Sequence, residues 1–107
     1  MKLGICIYSN DPESVWNAFR FANYSNKHFQ DDVRVFLLGK GVEAETLDSE
    51  TFNVTEQMRT FVAAGGSIKA CGTCLKLRQS EGSDVCPIST MADLHQLVAE
   101  CEKVLTF

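Results

Sequence analysis

The 107-residue sequence has few prolines, fewer basic than acidic residues and no long apolar run. Its two prolines and seven glycines exclude collagen-like and proline-rich chains. No apolar run approaches the roughly 20 residues that a membrane-spanning helix needs. Ten lysines and arginines against fourteen acidic residues give a formal charge of −4, whereas nucleic-acid-binding proteins usually have a basic excess. The sequence therefore predicts one domain over residues 1–107, with no membrane segment and no direct nucleic-acid partner.

The five cysteines are odd in number and unevenly spaced, so they form a poor disulfide framework. The apolar segment after Lys2 is too short for a secretory signal and is typical of a first strand. We therefore expect a cytoplasmic protein, since stable disulfides are uncommon in that compartment. Two cysteines in apolar segments are interpreted as small buried hydrophobes and one before Pro87 as a loop cysteine; these are Cys6, Cys101 and Cys86.

Strand-like and helix-like segments alternate along the chain. Asp11-Pro12-Glu13 has the residues of a helix start, and Thr55 is interpreted as the cap of a second helix. A third helix is expected from the cysteine pair to about Gln79, and a fourth from Ser89 or Thr90. The apolar face of the fourth helix is predicted to hold Leu94, Leu97, Val98 and Cys101. His95 is expected to pack beside this face.

The predicted strands cover residues 2–8, 33–38, 67–70 and 104–107. Their alternation with helices predicts an α/β fold with three α/β/α layers and a mainly parallel sheet of about five strands. Ligands of such sheets bind beyond the carboxyl ends of the strands. We therefore expect three segments to meet in one site: Asn10 and Asp11 with Ser9, then Gly39-Lys40-Gly41, then Cys71 to Cys74.

The C-x-x-C of Cys71 and Cys74 is the most informative motif. Cys71 falls at a strand-to-helix junction, where unpaired backbone N–H groups and the helix dipole lower the pKa of a thiol. Residues 57–80 contain four basic residues and no acidic residue. This pattern favours a thiolate, a persulfide or another small anion, stabilised by the following residues: Gly72, Thr73, Lys69, Lys76 and Arg78.

The same motif also occurs in redox proteins and metal sites. A thioredoxin-like pair usually has Gly-Pro between its cysteines, whereas this sequence has Gly72-Thr73. A zinc site needs two further ligands, for which Cys86 and His95 are available at an uncommon spacing. We expect neither a metal nor a cofactor.

Three segments resemble the DsrE/DsrF-like family, which includes the TusD-like sulfur-relay subunits. These are the first strand with the Ser9-to-Glu13 turn, residues 35–44 with their glycine turn, and the segment 70–78 around the cysteine pair. The likeness runs over nearly the whole chain, and the third segment is the specific one. One departure is Gln79-Ser80, where the relay subunits have a glycine after the arginine.

The resemblance implies a cysteine that carries sulfane sulfur as a persulfide between donor and acceptor proteins. It assigns this role to Cys71, seven residues before Arg78, with Cys74 as a second candidate or resolving thiol. It also implies a homo-oligomer, either a trimer or a hexamer. Two alternatives stay open: a thiol-disulfide redox protein, and a non-catalytic assembly module whose interface holds Trp16, Phe21, Tyr24 and Phe29.

Overall fold

The computed structural model describes all residues from Met1 to Phe107. No helix is both long and apolar enough to cross a bilayer. A 3₁₀ helix, Gly39–Thr46, follows the second strand. The other elements are, in chain order, β1 (Lys2–Ile7), α1 (Pro12–Phe29), β2 (Asp32–Leu37), α2 (Val54–Ala63), β3 (Ser67–Cys71), α3 (Gly72–Leu77), β4 (Ile88–Ser89), α4 (Met91–Glu100) and β5 (Lys103–Thr106).

All five strands are parallel and lie in the order β4-β3-β2-β1-β5. The register pairs Ile5 with Val35, and Val35 with Ile68, so the three longest strands start and end nearly together. Helices lie on both sides of the sheet, which confirms the predicted three-layer α/β/α fold. The carboxyl ends of β1, β2 and β3 consequently meet at one edge, where the site was expected.

The start of α1 follows from its sequence. The Asp11 carboxylate accepts a hydrogen bond from the Ser14 N–H at 2.9 Å, and Pro12 occupies the first helical position. The apolar residues that recur at helical spacing in α1 are buried, and they include Val15 and Phe19. The helix ends at Phe29, and the next residue, Gln30, adopts a left-handed conformation with φ of 55°.

The two faces of the sheet are covered unequally. The side of α1 and α2 holds a core of 18 buried residues, to which β1 contributes Leu3, Ile5 and Ile7. The side of α4 holds a second cluster with only three buried residues, Phe36, Cys71 and Leu97. Because alternate strand residues point to opposite faces, the thiol of Cys71 belongs to the thinner side.

Several element ends differ from the predicted ones. Asn53, rather than Thr55, caps α2 by accepting from the Glu56 N–H at 3.1 Å, while the Thr55 N–H is bound to Asp48. The third helix ends at Leu77, before the expected Gln79. The strand β4 was not predicted, because two residues are too few to show a periodicity.

The fourth helix packs less than its sequence predicted. Thr90 precedes it as one of the two expected start residues, but only Leu97 is buried. Val98 is 53% exposed and His95 is also exposed, so neither packs on the sheet as predicted. Cys101 lies just beyond the helix and is half-buried in the second cluster. The buried stripe of α4 is therefore narrower than predicted.

Candidate functional site

The Cys71 thiol lies where β3 ends and α3 begins. Cys71 is the last residue of β3 and the residue that precedes the first turn of α3. The N–H groups of that turn, from Gly72 to Cys74, have no carbonyl one turn before them within the helix. The Cys71 side chain is only 2% exposed and packs with Phe36 and Leu97. The site therefore holds its leading nucleophile candidate in a recessed position.

The Cys74 thiol lies beside Cys71 and is half-buried. Burial raises the pKa of Cys74, and its hydrogen bond with the Cys71 thiol raises it further. The Gly39 N–H donates to the Cys74 sulfur at 3.2 Å and, with Arg78, acts in the opposite direction. The raised pKa favours the protonated form of the Cys74 thiol.

The residue Gly39 reaches Cys74 because of its backbone conformation. Its φ of +57° lies in the left-handed region that favours glycine, and a Cβ atom there would lie 2.5 Å from the Tyr8 ring. The turn that the sequence marked by Gly39-Lys40-Gly41 is the beginning of the 3₁₀ helix. The second predicted site segment thus contacts the third through a backbone N–H.

An ion pair that the sequence analysis missed ties the site segments together. The Arg78 guanidinium donates to the Glu43 carboxylate at 2.7 Å and to the Cys74 carbonyl at 3.0 Å. The Asn10 amide donates to the other Glu43 oxygen at 3.4 Å. The Arg78 hydrogen bond, followed by that of Asn10, lowers the pKa of Glu43. Glu43 therefore links the segment of Asn10 to Arg78, which follows the cysteine pair.

A cavity of about 320 Å³ opens beside Cys71. Gly72, Thr73 and Lys76 of α3 form one wall. The other wall belongs to the segment that contains β4 and the start of α4, namely Ile88, Ser89, Thr90 and Met91. Two of these side chains, Ile88 and Met91, are more than half exposed. The unpredicted strand β4 thus supplies part of the surroundings of the thiol.

The remaining predicted site residues have other surroundings. The Lys69 ammonium lies 3.4 Å from the Asp93 carboxylate of α4, in a separate cavity on the same side of the sheet. Asp11 accepts the capping hydrogen bonds of α1. Lys40 is exposed on the 3₁₀ helix near Glu43. The structure therefore brings Gly39 and Arg78 into contact with Cys74 and links Asn10 to Arg78 through Glu43. Lys69, Asp11 and Lys40 take no part in these contacts.

The other three cysteines are also free thiols. Cys6 and Cys101 are half-buried in the second cluster, where burial raises the pKa of both thiols. Cys86 is 3% exposed in the main core, and burial raises its pKa strongly. No group of three or more cysteine, histidine or acidic side chains converges as metal ligands would. Cys86 and His95 thus do not complete a zinc site with the cysteine pair.

The fold matches two solved structures over nearly the whole chain, and the sequence matches a further protein over part of its length. The crystal structure of YchN from E. coli superposes with a TM-score of 0.85 at 26% identity, covering 100% of both chains. BT1422 from Bacteroides thetaiotaomicron, a conserved protein of unknown function, has a TM-score of 0.78 at 19% identity over 99% of this chain and 94% of its own. The uncharacterized protein MJ0989 from Methanocaldococcus jannaschii is 33% identical over 82 residues, which is 71% of this chain and 72% of MJ0989.

The family comparison confirms the resemblance of the three quoted segments. The model of the DsrE/DsrF-like family matches residues 1–107. Such a match supports a role in sulfur relay or in a related process. The chain belongs to the DsrE/DsrF-like family over its entire length.

Proposed function

We propose that the protein is a small cytoplasmic sulfur carrier in which Cys71 holds sulfane sulfur as a persulfide. The observation that carries this proposal is the position of Cys71 between two features that persulfide chemistry needs. One is the cavity of about 320 Å³ through which a sulfur atom can arrive and leave. The other is the Cys74 thiol, whose raised pKa keeps a proton available next to Cys71.

Loading requires the Cys71 thiolate to attack the outer sulfur of a donor persulfide. The bond between the two donor sulfurs breaks, and its electron pair leaves with the inner sulfur, which takes a proton and becomes a thiol. No net oxidation occurs, because one sulfane sulfur moves from donor to Cys71. The new sulfur extends the side chain by about 2 Å toward the cavity. The charge of Lys76, which lines the cavity, favours the anionic persulfide.

Unloading has two routes. An acceptor thiolate can attack the outer sulfur and take it, which regenerates the Cys71 thiolate. Alternatively, Cys74 can attack the Cys71 sulfur, which releases hydrosulfide and leaves a Cys71–Cys74 disulfide. The raised pKa of Cys74 favours the first route, since a protonated thiol is a poor nucleophile.

The test is the mass of the reduced protein after incubation with persulfide donors. A persulfide-loaded rhodanese domain and N-acetylcysteine persulfide serve as a protein donor and a low-mass donor. We expect one added sulfur on the peptide that contains Cys71, absent in Cys71→Ala and retained in the control Cys101→Ala. A Cys71→Ala protein that accepts sulfur as well as the wild type would overturn the assignment.

A thiol-disulfide redox protein is the second candidate, and the contact between the Cys71 and Cys74 thiols favours it. This function requires a reversible disulfide between them and turnover of small disulfide substrates with a dithiol reductant. Absence of turnover, together with sulfur loading on Cys71, would favour the carrier. Turnover without loading would favour the redox protein.

An assembly module is the third candidate, because aromatic side chains remain exposed on α1. Phe21, Tyr24 and Phe29 are between 41% and 64% exposed. Trp16 does not belong with them, since its ring packs on Phe52 at 5.3 Å. A trimer or hexamer is compatible with the carrier as well, so only inert Cys71 chemistry in a stable oligomer would favour the assembly module. Light scattering after size exclusion measures the oligomeric state.

A further inference from the structure

We infer that the cavity beside Cys71 binds a low-molecular-mass persulfide that carries a carboxylate, and that Lys76 binds this carboxylate. A ligand of this class is a cysteine derivative whose thiol bears one additional sulfur. The inference rests on the proposed function, because it names the chemical class of the donor. It replaces the donor protein that the family resemblance implies and leaves the acceptor open to be a protein.

The burial of Cys71 favours a small donor over a large one. Cys71 is only 2% exposed, packs with Phe36 and Leu97, and borders the cavity. A persulfide on a folded protein surface meets these walls before its sulfur reaches Cys71. A free small molecule enters the cavity, whose volume of about 320 Å³ lies in the range of small-molecule sites.

The charges around the cavity favour a ligand with one carboxylate. The ammonium of Lys69 is paired with Asp93 at 3.4 Å, and the guanidinium of Arg78 with Glu43 at 2.7 Å. Lys76 lines the cavity and, unlike Lys69 and Arg78, has no ion pair within the chain. One positive charge thus remains without a partner at the entrance to the thiol.

The other lining groups match the rest of a cysteine derivative. The Thr73 and Thr90 hydroxyls line the cavity and make no hydrogen bond within the chain, so they can bind amide or ammonium groups. Ile88 and Met91 supply apolar surface for methylene and methyl groups. Ser89 is already bound to Asp93 and is not needed for the ligand.

The transfer within the cavity is balanced without any further reactant. The Cys71 thiolate attacks the outer sulfur of the bound persulfide, and the sulfur–sulfur bond of the ligand breaks. The electron pair and one proton go to the inner sulfur, so the ligand leaves as its ordinary thiol. The carboxylate held by Lys76 takes no part in the bond changes and serves to orient the two sulfurs.

The test compares two donors that differ only in charge. N-acetylcysteine persulfide carries a carboxylate, and N-acetylcysteine amide persulfide does not. We measure the second-order rate constant for loading Cys71 with each donor, and take the ratio of the acid to the amide. Because the two donors differ in intrinsic reactivity, the informative quantity is the ratio in the wild type divided by the ratio in Lys76→Gln.

We expect this quotient to be about three- to fivefold, the effect that an exposed ion pair supplies. The matched control is Lys27→Gln, which removes an exposed lysine from α1 on the opposite side of the sheet and should retain the wild-type ratio. A quotient of one, or an equal change in Lys27→Gln, would overturn the inference. So would loading by the rhodanese domain alone, which leaves the proposed function intact. If neither kind of donor loads Cys71, it is the proposed function that fails.

Discussion

The two faces of the sheet differ in content, since one packs against the main core and the other carries most of the cysteines. In β3, Ile68 and Ala70 point into the 18-residue core, while Cys71 lies in the three-residue cluster on the other face. In β1, Ile5 belongs to the main core and Cys6 to the second cluster. Four of the five cysteines lie in or against the second cluster. Because successive side chains of a strand point to opposite faces, β1 and β3 each place a cysteine next to residues of the main core. Substitutions on the two faces should therefore have different consequences.

The largest effect on stability is expected from Phe61→Ala. Phe61 is fully buried in the main core, with its ring centre 6.2 Å from that of Phe19. The lost burial and the cavity should lower the free energy of unfolding by about 3–5 kcal/mol, measured by urea titration. The matched control Phe29→Ala removes a ring that is 64% exposed, and should change it by less than about 0.5 kcal/mol. Equal losses in the two variants would contradict the assignment of the core.

The next effect is expected from Gly41→Ala at the carboxyl edge of the sheet. A Cβ atom on Gly41 would lie 1.9 Å from the Ile7 carbonyl oxygen, so the backbone must move. We expect a loss of about 3 kcal/mol in urea titrations. The same shift should withdraw the Gly39 N–H from Cys74 and raise the pKa of Cys74, measured from the pH dependence of its alkylation.

The control for this variant is Gly65→Ala, where nothing lies within 4 Å of an added Cβ atom. Its φ of +94° leaves only conformational strain, for which we expect about 1 kcal/mol. If Gly41→Ala lowers the free energy of unfolding no more than Gly65→Ala does, the 3₁₀ helix accommodates the added methyl group without strain, which would contradict the prediction.

A smaller loss of stability with a larger change in reactivity is expected from Leu97→Ala. Leu97 is the buried residue of α4 and packs with Cys71. We expect about 2 kcal/mol, the low end for a buried leucine, because its cluster is small. Cys71 should react faster with iodoacetamide in the folded protein, whereas Val98→Ala, at an exposed position, should leave both quantities unchanged. If Cys71 reacts no faster in Leu97→Ala, the packing of Leu97 does not limit access to the Cys71 thiol.

The smallest effect is expected from Glu43→Gln and depends on pH. The pKa of Glu43 is lowered in the folded state, so its contribution to stability is present above the unfolded-state pKa and is lost as the pH falls through the folded-state pKa. The wild type should therefore be more stable than Glu43→Gln at neutral pH, and the difference should vanish in acid. Thermal unfolding at a series of pH values measures it. Glu50→Gln is the control. The same pH dependence in that variant would show that the ion pair of Glu43 with Arg78 is not its cause.

Much of the fold was predictable because its signals are local and periodic. The residues that define α1 lie close together in sequence. Asp11 and Pro12 mark its start, and Val15 and Phe19 belong to its apolar stripe. The apolar face predicted for α4 was less reliable, since Leu97 is buried but Val98 is exposed. A helical period shows that an apolar stripe exists, but not how wide a surface the sheet offers it.

The site was only partly predictable because its contacts are distant in sequence. The motif identified Cys71 and Cys74, and the fold class predicted that Gly39 would lie near them. The pair of Glu43 and Arg78 joins residues 35 positions apart and leaves no local pattern. Ile88 supplies part of the cavity wall through a two-residue strand, which no periodicity can indicate.

The alternation of β3 also bears on how this family diverges. A residue that points toward α4 can be replaced without removing any side chain from the 18-residue core. Mutations that gain, lose or move a thiol on that side should therefore change the chemistry of the protein more than its folding. A chain with this arrangement can change the residues on that side of the sheet while keeping its fold, and YchN keeps the fold with a TM-score of 0.85 at 26% identity.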